Sequence, residues 1–140
     1  MINTKYYDGY DGEPGVILYF HFKDQEIYEL SIWNGYFEPM MQAIIAAEIN
    51  KRDILYDAGI VLEWNMCVGW CDTYSDKCKI HNIDQAIEEF SLFDSRNLTK
   101  TDYKSIDECL IKEIEEVQAL ILALLRRARD EKCDVYIEND

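Results

Sequence analysis

The hydrophobic pattern near the start of the chain predicts a β-hairpin. Residues 16–22 form an apolar run of β-branched and aromatic residues that only His21 interrupts, and residues 28–32 alternate apolar with polar positions. A continuous run is typical of a central strand, and an alternating one is typical of a half-exposed strand. Residues 23–25 supply the turn between them, and residues 8–15, rich in glycine and acids, form a loop before the hairpin.

Helical spacing follows the hairpin. Over residues 37–49 the apolar side chains recur every three to four positions. Proline is tolerated in the first turn of a helix, so Pro39 predicts a helix that begins near Phe37 and ends between residues 51 and 57. Residues 60–64 then predict a third strand.

A short helix is predicted after Asn82. Asn82 and Gln85 are spaced as in a helix-capping box, and the following residues have a helical apolar face. Residues 91–100 are expected to link this helix to the next. The predicted face comprises Ile83, Ala86, Ile87 and Phe90.

The longest helical pattern covers residues 101–132. Its apolar residues lie three or four apart throughout, and its arginines lie in the last turns, where the helix dipole favours them. We expect this helix to be the scaffold of the fold, and residues 135–137 to form a final strand. The residues expected to be buried are Leu110, Ile114, Val117, Ile121 and Leu124.

These elements predict one α+β or mixed α/β domain over residues 1–140. The predicted order is β-β-α-β-α-α-β, a small sheet of about four strands packed against about three helices. A length of 140 residues and a hydrophobic content of 49% are enough for one substantial core.

Charge narrows the choice of partner. The net charge is −14, with a pI near 4.4, and the excess of acids is spread along the chain. Nucleic acids and anionic membranes are bound through clustered lysine and arginine, so neither is an expected partner. The first residues lack a secretory signal, and the longest apolar run has seven residues, so we expect a soluble, cytoplasmic protein.

The cysteines raise the question of a metal site. Cys67, Cys71, Cys78 and His81 contain the donors of a Cys3His zinc site, but the first pair is separated by three residues instead of the usual two. The chain has an odd number of cysteines, five in total, which favours a reducing cytosol and free thiols. We interpret them as small buried hydrophobes with no metal or cofactor, and a disulfide between Cys71 and Cys78 as a lesser alternative.

No motif indicates an enzyme. The chain has no nucleophile elbow, no phosphate-binding glycine loop and no His-Glu-x-x-His sequence. His21 and His81 are the histidines available as general bases, and His21 lies in an apolar strand, where a structural role is expected.

Aromatic residues flanked by acids suggest a protein-binding surface instead. Aromatic rings provide contact area at low entropic cost, and carboxylates attract a basic partner. Two loop segments combine both types of residue. The expected partner-binding residues are Tyr7, Asp8, Tyr10, Asp11 and Glu13 in the first segment and Trp70, Asp72, Tyr74 and Asp76 in the second.

The overall profile, a small, strongly acidic, aromatic-rich domain without a catalytic motif, resembles the immunity proteins of bacterial toxin–immunity systems such as contact-dependent growth inhibition. The resemblance implies a stoichiometric inhibitor that binds a cognate basic toxin domain, often a nuclease, and blocks its active site or substrate groove. Two alternatives stay open: a nucleic-acid-mimicking phage or regulatory inhibitor, and a small protein built around a Cys/His metal site.

Overall fold

The computed structural model describes residues 1–24, 26–48, 77–100 and 108–139. Within these ranges the chain forms one mixed sheet, three α-helices and a 3-10 helix (Ser95–Lys100). The strands are β1 (Ile2–Tyr6), β2 (Gly15–Phe20), β3 (Tyr28–Trp33), β4 (Cys78–Lys79) and β5 (Val135–Asn139), and the helices are α1 (Asn34–Glu48), α2 (Ile83–Ser91) and α3 (Glu108–Glu131).

The sheet has the order β1-β3-β2-β5-β4 and confirms the predicted hairpin. Strands β2 and β3 pair antiparallel, and β5 pairs antiparallel with the other edge of β2. Strand β3 alternates buried with half-buried residues, as its sequence predicts. The fold class is therefore α+β, with a small sheet and a long C-terminal helix.

Strand β1 was not predicted. It pairs parallel with β3 at the edge of the sheet, and its register is irregular between Asn3 and Tyr6. Most of its residues are polar and exposed or half-buried, so it lacks the apolar pattern on which the other strands were identified. Only its pairing with β3 makes it a strand.

Helix α1 begins earlier than the proline pattern predicts. It starts at Asn34 rather than near Phe37, and Pro39 lies inside it. An internal proline costs about 3 kcal/mol because it loses a hydrogen bond and crowds the carbonyl four residues earlier. The helix also buries four large side chains completely, each of which contributes about 1.5–3 kcal/mol, so burial outweighs the proline penalty. These are Phe37, Met40, Met41 and Ile44.

Helix α2 begins as predicted. The Asn82 side chain accepts a hydrogen bond from the backbone N–H of Gln85 at 3.0 Å. The Gln85 amide does not return to Asn82, as it would in a full capping box, but donates to Glu89 at 3.2 Å. Of the predicted face, Ala86, Ile87 and Phe90 are buried and Ile83 is half-buried.

Helix α3 is the longest described element, and four of its five predicted core residues are buried. Ile114, Val117 and Ile121 are 0% exposed, and Leu124 is 8% exposed. Leu110 is only partly buried, because it lies in the first turn of the helix, at the margin of the core.

The core lies between the helices and one face of the sheet. Alternate residues of β2, β3 and β5 are buried on this inner face and pack with the apolar sides of α1, α2 and α3 in one cluster. The predicted strand over residues 60–64 falls outside the described residues, as do residues 101–107 of the predicted long helix. No helix in the described ranges is long and apolar enough to cross a membrane.

Candidate functional site

The loop between β1 and β2 contains the first group of predicted partner-binding residues. Its backbone forms successive turns, in which the N–H groups of Tyr7 and Asp8 donate to the Thr4 carbonyl at 2.9 and 2.8 Å. The Tyr10 N–H donates to the Tyr7 carbonyl at 3.1 Å, and the Glu13 N–H to the Tyr10 carbonyl at 3.0 Å. Because these four N–H groups are paired with carbonyls three or four residues earlier, the loop has a defined conformation.

Aromatic contacts attach this loop to the end of the sheet. The Tyr10 ring stacks on the Trp33 ring with centroids 3.8 Å apart and an angle of 3° between the planes. Its hydroxyl oxygen lies 3.2 Å from that of Tyr36. The Tyr7 hydroxyl donates to the backbone carbonyl of Glu13 and so closes the loop across its base. Tyr7 and Tyr10 therefore hold the loop in place.

Tyr36 is the most buried member of this aromatic cluster, with ring contacts to both Tyr10 and Trp33. Tyr36 is 5% exposed, and burial of its hydroxyl, together with hydrogen bonds involving the Glu113 and Tyr10 side chains, raises its pKa. The hydroxyl therefore stays protonated and available as a donor at any physiological pH.

Gly35 is required by the close approach of the Trp33 indole. A Cβ atom at this position would lie 2.2 Å from two atoms of the indole ring. We predict that Gly35→Ala displaces Trp33, breaks its stacking on Tyr10 and lowers the free energy of unfolding by about 1–3 kcal/mol, the usual cost of overpacking. Chemical denaturation measures the loss, and faster amide exchange at residues 8–13 reports the release of the loop. If the amides of residues 8–13 exchanged as slowly in Gly35→Ala as in the parent, the loop would not be attached through Trp33.

The acidic side chains of the loop are exposed and uncompensated. Asp8, Asp11 and Glu13 are all exposed, and none of them forms an ion pair with a residue that the structure describes. Several acids elsewhere are paired at 2.6–3.4 Å, such as Asp94 with Arg96 and Asp134 with Lys79. The loop therefore presents three exposed negative charges within six residues, and none of them has an ion-pair partner in the described structure.

Of the two predicted binding segments, the structure describes only the first, residues 7–13. Its carboxylates are exposed as expected, whereas Tyr7 and Tyr10 are half-buried and contact the protein itself. Sequence reasoning missed the contributions of Trp33 and Tyr36, because ring contacts between residues distant in sequence leave no periodic signal. Outside the described residues lie Trp70, Asp72, Tyr74 and Asp76.

The cysteines depart from the sequence-based interpretation. Cys78 is disulfide-bonded, and its partner is neither Cys109 nor Cys133, which are free. This bond contradicts the prediction that all thiols are free, and disulfides are rare in a reducing cytosol. A bonded Cys78 also lacks the thiolate that zinc requires. In the described part of the chain, no three metal-ligating side chains converge.

Thiol reactivity tests this assignment. We predict that protein purified and denatured without reductant shows two fewer reactive thiols than the five found after reduction. In the native protein the exposed Cys109 should react quickly, whereas burial raises the pKa of the Cys133 thiol and slows its reaction. Five reactive thiols before reduction would contradict a disulfide at Cys78.

A polar cleft of about 730 Å³ lies between the end of α1, the 3-10 helix and α3. Its described lining includes Ser91, Asp94, Glu115 and Gln118, but no histidine or cysteine. Asp94 is held by two hydrogen bonds from the Arg96 Nε atom and one from Nη2. These side chains do not form a nucleophile–base pair.

Comparisons with protein-family models, with curated proteins and with solved structures each gave no match. The function of the chain is therefore inferred from its own geometry and charge.

Proposed function

We propose that the protein is a stoichiometric inhibitor that binds and neutralises a cognate basic protein toxin, as an immunity protein does. The observation that supports this proposal is the acidic loop. Asp8, Asp11 and Glu13 are exposed and form no ion pair with a described residue, and Tyr7 and Tyr10 hold the backbone that carries them. In a complex these carboxylates would contact lysine or arginine side chains of the toxin.

Both the negative charge and the fixed conformation of the loop favour binding. Exposed complementary charges raise association rates, and a loop that is already ordered loses little conformational entropy when a partner binds. A nuclease has a positively charged groove for phosphates, and carboxylates on a fixed turn can occupy such a groove. The proposal places the protein in the cytoplasm, where a nuclease toxin meets its substrate, and therefore requires the Cys78 disulfide to persist against cytosolic reductants.

Co-expression with the product of the adjacent reading frame tests the proposal. If that product is the cognate toxin, the two chains should purify as a complex of defined stoichiometry, and co-expression should restore the growth of cells that produce the toxin. An unrelated protein of similar length and net charge is the control. Failure to form a complex, or equal protection by the control, would overturn the proposal.

A further inference from the structure

The acidic loop consists of two consecutive turns that share the residue Tyr10. The Tyr10 N–H donates to the Tyr7 carbonyl at 3.1 Å in the first turn, and the Glu13 N–H donates to the Tyr10 carbonyl at 3.0 Å in the second. Both turns begin with the same sequence, Tyr-Asp-Gly, so each presents an aspartate at its second position. Because Tyr10 ends one turn and begins the next, its position determines where both aspartates lie.

Gly9 and Gly12 occupy the third positions of these turns. Their φ angles are +90° and +85°, in the left-handed region that a type II turn requires at this position. A Cβ atom at either glycine would meet no described atom within 4 Å, so backbone conformation and not crowding favours glycine there. Glycine adopts other conformations as readily, and water competes for exposed turn hydrogen bonds, so neither feature holds the loop firmly. Holding the loop therefore depends on its side chains.

The Tyr10 side chain attaches both turns to the core. Besides its parallel stack on Trp33, the ring lies edge-on to Tyr36, with centroids 5.9 Å apart and an angle of 86° between the planes. Trp33 and Tyr36 also contact each other, with centroids 5.2 Å apart. Tyr36 belongs to the buried core, and the other two rings pack against that core. Residues 8, 9 and 11–13 are exposed, so of residues 8–13 Tyr10 alone packs on the described core.

We propose that Tyr10 is a positioning residue of the acidic loop: its stack on Trp33 holds the three carboxylates of the loop in the arrangement that the basic toxin binds. This inference rests on the proposed function and deepens it, because it names the residue on which the binding conformation depends. Tyr10 acts through the carboxylates rather than by contact with the toxin. Trp33 covers one face of its ring, and its hydroxyl oxygen lies 3.2 Å from that of Tyr36.

The charge of the loop and its conformation affect different rate constants. Long-range attraction depends on charge, which a neutral substitution of Tyr10 leaves unchanged, so the association rate constant should change little. Without the stack, residues 8–13 would have to be ordered when the toxin binds, and the lost conformational entropy would weaken the complex. The loss should appear in the dissociation rate constant, as most changes of affinity at an interface do.

Direct contact with the toxin is the competing role for Tyr10, since its side chain is half-buried rather than fully buried. A positioning residue acts through the carboxylates, so its substitution should have little effect once they are neutral. A contact residue instead contributes equally with and without them. A double-mutant cycle between Tyr10 and the carboxylates therefore separates the two roles.

Two substitutions of Tyr10 are first compared in the free protein. Tyr10→Leu removes the ring, whereas Tyr10→Phe, the matched control, keeps a ring that can stack on Trp33. We expect amide exchange at residues 8–13 to become about tenfold faster or more in Tyr10→Leu and to stay close to that of the parent in Tyr10→Phe. Exchange across helix α3 should be the same in all three proteins, which shows that the fold is retained.

Binding to the product of the adjacent reading frame is then measured by stopped flow and calorimetry. Tyr10→Leu should raise the dissociation rate constant by about tenfold and change the association rate constant by less than about twofold. Tyr10→Phe should restore most of the parent's affinity. In a chain that also carries Asp8→Asn, Asp11→Asn and Glu13→Gln, Tyr10→Leu should change the affinity by less than about twofold.

The outcomes separate this inference from the proposed function. If Tyr10→Leu left the amide exchange of residues 8–13 or the affinity for that product unchanged, Tyr10 would not be a positioning residue, and the proposed function would be unaffected. An equal loss of affinity with and without the carboxylates would make Tyr10 a contact residue and would also overturn the inference. Failure of the parent to bind would overturn both proposals.

Discussion

Replacing Ile114 or Ile121 with alanine is expected to lower the free energy of unfolding by about 2–5 kcal/mol. Both side chains are 0% exposed in helix α3, so each substitution removes buried apolar surface and leaves a cavity between the helix and its neighbours. A single domain is stable by only about 5–15 kcal/mol, so the loss is a large part of the total. The melting temperature should fall by roughly 3 °C for each kcal/mol lost.

Urea denaturation and thermal melting of the two variants measure this effect. Ala119→Ser, an exposed position on the same helix, is the matched control and should unfold like the parent. If the isoleucine variants also unfolded like the parent, helix α3 would not be the scaffold of the core.

Neutralising the acidic loop is expected to slow association with the basic partner by about tenfold or more at low salt, without changing stability. The triple variant Asp8→Asn, Asp11→Asn, Glu13→Gln removes three exposed charges that form no ion pair within the described structure. Hydrogen bonding by the loop backbone does not use these side chains, so the fold should be retained. Stopped-flow binding and urea denaturation measure the two quantities.

A second triple variant controls for net charge. It carries Asp84→Asn, Glu88→Gln and Glu115→Gln, three exposed acids of helices α2 and α3, and so changes the net charge equally. It should associate almost like the parent. If the two triple variants associated at the same rate, capture would depend on overall charge, and the loop would not be the binding site.

Most of the fold could be predicted because buried faces impose a period on the sequence. Helix α3, helix α2 with its Asn82 cap, the β2–β3 hairpin and strand β5 all carry such a period. Strand β1 could not be predicted, since it is polar and is defined by pairing with β3. The prediction placed the start of α1 too late because it considered only where proline is tolerated in a helix. Burial of Phe37 and Met40 stabilises a helix that contains Pro39 in its interior.

The candidate site was less predictable than the fold. Its carboxylates could be identified from the glycine-rich acidic loop, because such a loop lies at the surface. The roles of Tyr10 and Trp33 could not, since their stacking joins residues that are far apart in sequence. Cys78 was predicted to be a free thiol but is disulfide-bonded, because the number and spacing of cysteines do not specify which of them pair.

The most direct test of electrostatic capture is the association rate constant of the parent with its basic partner at two ionic strengths. Screening shortens the range of the field from about 30 Å at 0.01 M salt to about 3 Å at 1 M. A surface that captures its partner by charge should therefore associate at least about tenfold more slowly at the higher salt concentration. An association rate constant that is the same at both concentrations would contradict the account.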